Sequence, residues 1–68
     1  MESFGTLVRR MRKARNLLLR EVAAKLQVDP SFLSRIEGGT KHASREHVIQ
    51  LAAILEANEN EISDRLPE

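Results

Sequence analysis

Apolar residues recur along this chain at the spacing of a single helix face, and each series is bracketed by residues that start or stop helices. Phe4, Leu7, Val8 and Met11 follow the i, i+3, i+4, i+7 pattern, with Ser3 before them as an N-cap. This predicts a first helix over 4–15, ended by Asn16, because asparagine tolerates the left-handed backbone that closes helices. A second helix is predicted over 19–26, with Leu17 placed to staple onto Val22 and Glu21 at the third helical position, as a capping box requires. Its N-cap is Leu18, whose side chain cannot accept a hydrogen bond, a loss of roughly 1 kcal/mol relative to Ser or Thr. Asp29-Pro30 is the strongest start in the chain, pairing a favoured cap with a favoured first residue. The third helix opens there, turns Leu33 and Ile36 inward and stops near Glu37, at Gly38-Gly39. Ser44 caps a fourth helix carrying Val48, Leu51, Ala52 and Leu55. Asn58 and Glu61 form a further capping box, which opens a fifth helix that buries Ile62 and ends before Pro67.

No stretch alternates with period two, so the expected fold class is all-α, a compact bundle of five short helices whose apolar faces converge on one core. A chain of 68 residues has room for one such core, and a single domain over 1–68 is expected. With no cysteine, neither a disulfide framework nor a thiolate metal site is available, and the fold must rest on packing. The longest apolar run, Leu17-Leu18-Leu19, is far short of the roughly 18 residues of a membrane span, and no secretory signal is visible. A cytoplasmic location is the expectation.

The formal net charge of +1 hides a division along the chain. Residues 1–45 hold ten Lys/Arg against four Asp/Glu, a net +6, whereas residues 46–68 hold one against six, a net −5. One end is therefore suited to a polyanion and the other is not.

The predicted second and third helices are separated only by Gln27 to Asp29, too short a link for antiparallel packing but suited to a sharp crossing. That is helix-turn-helix geometry. With Leu33 and Ile36 turned to the core, Ser31, Ser34 and Arg35 lie on the opposite side, where the major groove of duplex DNA could admit them. Arg35 is the principal base-reading candidate, because its two-pronged guanidinium matches the O6 and N7 acceptors of guanine. The serine hydroxyls donate or accept, and so discriminate less. Phe32 either touches a thymine methyl or sugar, or packs against its neighbours.

At Pro30-Ser31-Phe32-Leu33-Ser34-Arg35-Ile36-Glu37 and Gly39, with Glu21-Val22-Ala23, Leu26-Val28 and Leu51-Ala52 around them, the sequence resembles the Xre-type, lambda-repressor-like helix-turn-helix domains. The resemblance covers roughly Phe4 to Ile62. It implies a sequence-specific regulator of transcription, most often a repressor, bound to double-stranded DNA as a homodimer. It further implies that Ala23 lets the two motif helices approach closely, that Ser31, Ser34 and Arg35 occupy base-contacting positions, and that Arg12 pairs with Glu37. Arg20, with Lys41, His42 and Arg45 around the entrance to the fourth helix, become the phosphate-contacting candidates. Arg9, Arg10, Lys13 and Arg15 are weaker ones, equally suited to a solvated face. Ile49, Ile54 and Ile62 are left over once the core is filled and become peripheral packing or, by family habit, a two-fold interface.

The chain departs from the family at Leu18-Leu19, where a polar pair usually caps the second helix and touches a phosphate, and at Gln27 and Glu56, where helix-ending glycines are common. The leucine pair and the acidic last third motivate an alternative: a protein-interaction module that keeps the fold with little DNA affinity and uses Leu18 and Leu19 as its partner surface. A more distant alternative docks the basic first helix on membranes. His42 and His47 are five apart with no clustered carboxylate, which argues against a metal site. No histidine lies near Ser31 or Ser34 to activate a nucleophile, so an enzyme is not expected, and neither is a cofactor.

Overall fold

Helices begin where a side chain or turn satisfies amides that have no partner within the helix, and this chain meets that demand in three ways. In the computed structural model, which describes residues 2–57, the helices are α1 (Phe4–Ala14), α2 (Leu19–Leu26), α3 (Pro30–Gly38) and α4 (Arg45–Ile54), with no strand among the described residues. The hydroxyls of Ser3 and Ser44 accept from the amides of Thr6 and His47 at 3.2 and 3.1 Å. The Asp29 carboxylate accepts from the amide of Ser31 at 2.8 Å, with Pro30 behind it as the first helical residue. At α2 the cap side chain is absent, yet half of the capping box survives: the Glu21 carboxylate accepts from the amide of Leu18 at 2.8 Å.

The helix ends use left-handed residues. Asn16, Gln27 and Glu56 have φ of 56°, 63° and 54°, and Gly39 has φ of 84°. Asn16 is well suited to that conformation; Gln27 and Glu56 adopt it at a cost. Two boundaries shift by one residue from the sequence expectation. Helix α1 stops at Ala14, because Arg15 already caps it, and α3 continues through Gly38, because Gly39 is the residue that turns left-handed. The expected fifth helix, with Asn58, Glu61 and Ile62, lies outside the described residues.

The core is drawn from all four helices: Phe4, Leu7 and Val8 from α1, Val22, Ala23 and Leu26 from α2, Leu33 and Ile36 from α3, and Val48, Leu51 and Ala52 from α4, with Leu55 just after it. Helix α3 packs on α1 and α2, and α2 also packs on α4. The α1–α3 contact is backbone to backbone at Gly5, where a β-carbon would run into the carbonyl oxygens of Ile36 and Glu37. Gly5 is thus required by close approach. It brings the start of α1 against the last turn of α3 and so fixes the angle at which α3 leaves the core.

Two substitutions test this account of the backbone. Gly5→Ala is expected to lower stability by about 1–3 kcal/mol, since the obstacle is main chain that cannot rotate away. Gln27→Gly is expected to raise it by up to about 1 kcal/mol by removing the left-handed penalty. Thermal unfolding followed by circular dichroism checks both, each kcal/mol corresponding to a shift of about 4–8 °C for a domain of this size.

Candidate nucleic-acid interface

A charged group buried in a small domain must be paired, and one such pair sets the site. Arg12, on α1, donates from Nε to Glu37 Oε2 at 2.8 Å and from Nη2 to Glu37 Oε1 at 3.1 Å, a two-pronged contact with the last turn of α3. Its remaining nitrogen, Nη1, donates to the carbonyl of Leu17 at 2.8 Å, in the link between α1 and α2. The two side chains are only 11% and 7% exposed. Arg12 therefore ties three segments together and is not available to neutralise a phosphate.

Held from behind in this way, α3 presents one stripe outward. Leu33 and Ile36 are buried, whereas Ser31, Ser34 and Arg35 are exposed, with Gly38 continuing their line. No described segment lies over that stripe. Ser34 and Arg35 make no side-chain hydrogen bond among the described residues, while Ser31 Oγ donates to Asp29 Oδ1 at 2.7 Å. Asp29, read from the sequence only as a cap, thus has a second partner. The Ser31 hydroxyl and amide, with the charge of Arg35 adding to them, hold its carboxyl below the ordinary carboxylate range.

The expected phosphate-contacting residues lie on two segments outside α3. Arg20 is exposed in the first turn of α2, next along the chain to Leu19, which lines a concavity together with Arg9, Arg12, Ser34, Glu37 and Gly38. Lys41, His42 and Arg45 are exposed between α3 and the first turn of α4. Phe32 joins this second segment to α3: it is half-buried, meets the ring of His47 edge-on at 5.4 Å between centroids, and carries Lys41 Nζ 5.6 Å above its face. The role of His47 in this stack has no local signature, since Phe32 and His47 lie on different helices. The weaker candidates Arg10 and Arg15 are engaged in exposed pairs, with Glu2 at 2.8 Å and Glu56 at 3.1 Å.

The apolar candidates separate by exposure. Leu18 and Ile49 are 50% and 44% exposed, whereas Leu19 and Ile54 are half-buried against the core. Ile62 lies outside the described residues. Among those residues, no three His, Cys, Asp or Glu side chains come together as metal ligands, and no helix is long and apolar enough to cross a membrane.

Two helices crossing through a three-residue turn, the second backed by the core and bare on its outer side, define a helix-turn-helix protein. The chain belongs to the helix-turn-helix domain family, whose model matches residues 3–64. It is similar to ClgR, the clp gene regulator of Corynebacterium glutamicum, at 29% identity and a TM-score of 0.85, over 91% of this chain and 66% of that one. It therefore spans slightly less than two thirds of that regulator. SinR of Bacillus subtilis, a master regulator for biofilm formation solved in complex with DNA, matches at 27% identity and a TM-score of 0.81, over 90% of this chain and 98% of the other. The restriction-modification controller protein C.AhdI of Aeromonas hydrophila matches at 27% and 0.81, over 87% and 89%. These neighbours are lambda-repressor-like regulators, in line with the Xre-type resemblance of the sequence. No curated protein sequence matches the chain.

Removing one member of the buried pair leaves the other charge unpaired, so Glu37→Ala is expected to cost about 3–5 kcal/mol in urea unfolding. The Asp29 cap predicts a pH dependence of definite sign. Its carboxyl is held lower in the folded state than in the unfolded one, so the stabilisation is complete above the unfolded value and lost as pH falls through the folded one. Between about pH 5 and pH 2, wild-type stability should therefore fall more steeply than that of Asp29→Asn.

Proposed function

We propose that this chain is a sequence-specific double-stranded DNA-binding regulator of transcription, acting as a dimeric repressor, with α3 in the major groove. Arg35 reads guanine, Ser31 and Ser34 contact neighbouring base edges, and Phe32 lies at the margin of the groove. Arg20 on one side, and Lys41, His42 and Arg45 on the other, hold the phosphate backbones. A homodimer joined through Ile49, Ile54 and Ile62 would read a roughly palindromic site with half-sites about one helical turn apart. The single observation that carries this reading is the uncovered Ser31–Ser34–Arg35 stripe, on a helix clamped from behind by the core and by Arg12–Glu37. The charge division supports it, because Arg20, Arg35, Lys41 and Arg45 all lie in the basic first two thirds of the chain. The DNA complex of SinR supports it by similarity.

The half-exposed Leu18 favours a second reading, a protein-interaction module docking through Leu18 and Leu19. Selection from a randomised duplex pool separates the two. DNA reading predicts an enriched motif, with Arg35→Ala relaxing the preference at one position by about 1–3 kcal/mol. Arg20→Ala should instead weaken all sequences alike and reduce the slope of log affinity against log salt by about 1. A pool with no enriched motif, with binding lost equally for any duplex, favours the interaction module.

A further inference from the structure

The two serines on the outward stripe of α3 differ in a way their identical chemistry conceals. Ser34 makes no side-chain hydrogen bond among the described residues, whereas the proton of the Ser31 hydroxyl is directed at Asp29 Oδ1 over 2.7 Å. The same oxygen accepts the Ser31 amide at 2.8 Å, so hydroxyl and amide of one residue converge on one carboxylate. A hydroxyl has one proton to donate and two lone pairs to accept with. An ionised acceptor holds such a proton about twice as strongly as a neutral one. What Ser31 turns toward a ligand is therefore its lone pairs, backed by a negative charge.

In the major groove, adenine N6 and cytosine N4 carry amino donors where guanine and thymine place the O6 and O4 acceptors. We propose that Ser31 is a one-sided reader: with its proton held by Asp29, it accepts from adenine or cytosine on the contacted strand and rejects guanine and thymine. To bond to guanine O6 or thymine O4, the hydroxyl would have to abandon the carboxylate and bring an acceptor toward its charge. Asp29 touches no base in this scheme; it is a positioning residue that decides which way the serine hydrogen bond runs. The inference rests on the DNA-binding reading above and sharpens it, turning a residue type that ordinarily contacts any base into one with a defined preference. Ser34, with no such partner, keeps both capacities.

The test is selection from randomised duplexes with the 68-residue chain, its Ser31→Ala variant, and two variants that keep a capping oxygen without a charge, Asp29→Asn and Asp29→Ser. The position read by Ser31 is the one whose preference disappears in Ser31→Ala. The wild type should prefer adenine or cytosine there by about tenfold, the scale of one hydrogen bond to a fixed partner. Both Asp29 variants, folded by circular dichroism, should admit all four bases at that position to within about threefold while keeping the rest of the motif. Because every pair sets adenine or cytosine opposite thymine or guanine, the expected preference groups adenine with cytosine on one strand, and a wild type that groups adenine with guanine or adenine with thymine overturns the proposal. So does an unchanged preference in both Asp29 variants, or a Ser31→Ala motif identical to the wild type. A pool with no motif at all overturns the DNA-binding reading, and this proposal with it.

Discussion

Everything on the outward side of this protein depends on the guanidinium of Arg12. Its three nitrogens are shared between the Glu37 carboxylate and the Leu17 carbonyl, so that α1, the last turn of α3 and the link into α2 are held by one side chain. A helix of nine residues is too short to be stable alone, and α3 keeps its shape because something else fixes both its ends. At its start, Asp29 and Pro30 do so locally. At its end, the Arg12 contact and the close approach of Gly5 to the Ile36 and Glu37 carbonyls do so through tertiary structure. The consequence is a stripe of polar positions whose backbone is already fixed before any ligand arrives, so that binding has only side chains left to order.

The helices are legible in the sequence because each is punctuated by residues with a direct backbone role. Ser3, Asp29 and Ser44 each accept the amide that the capping pattern predicts, and Asn16 takes the left-handed turn expected of it. The inward set is equally plain, since Leu33, Ile36, Val48 and Leu51 fall at helical spacing and are all buried. The outer stripe follows by subtraction.

What the sequence conceals is long-range or local beyond periodicity. The Arg12–Glu37 contact joins residues 25 apart, and only resemblance to a family points to it. The Phe32–His47–Lys41 stack depends on how α3 and α4 meet, which no spacing within either helix encodes. Gly5 carries no visible sign of its role, because a glycine one residue into a helix looks like a weak propensity choice until the opposing carbonyls are in place. The second bond of Asp29, to the Ser31 hydroxyl, is invisible for another reason: the capping pattern accounts fully for the residue, and nothing calls for more. Gln27 and Glu56 show the reverse case, in which the local helix ending, with Val28 and Ala57 donating back to the carbonyls of Ala23 and Ala52, takes a left-handed turn that the residue type disfavours.

The central claim is that a clamped α3 meets DNA with its outer stripe while the opposite side of the fold stays out of contact. Titrating the isotopically labelled chain with the duplex it selects, and following backbone amides by NMR, measures this directly. The account predicts the largest shifts at Ser31, Ser34 and Arg35 and in the first turn of α2 at Arg20, with Leu51 and Ala52 unmoved. Shifts concentrated in α4, with Ser34 and Arg35 unchanged at saturation, would contradict it.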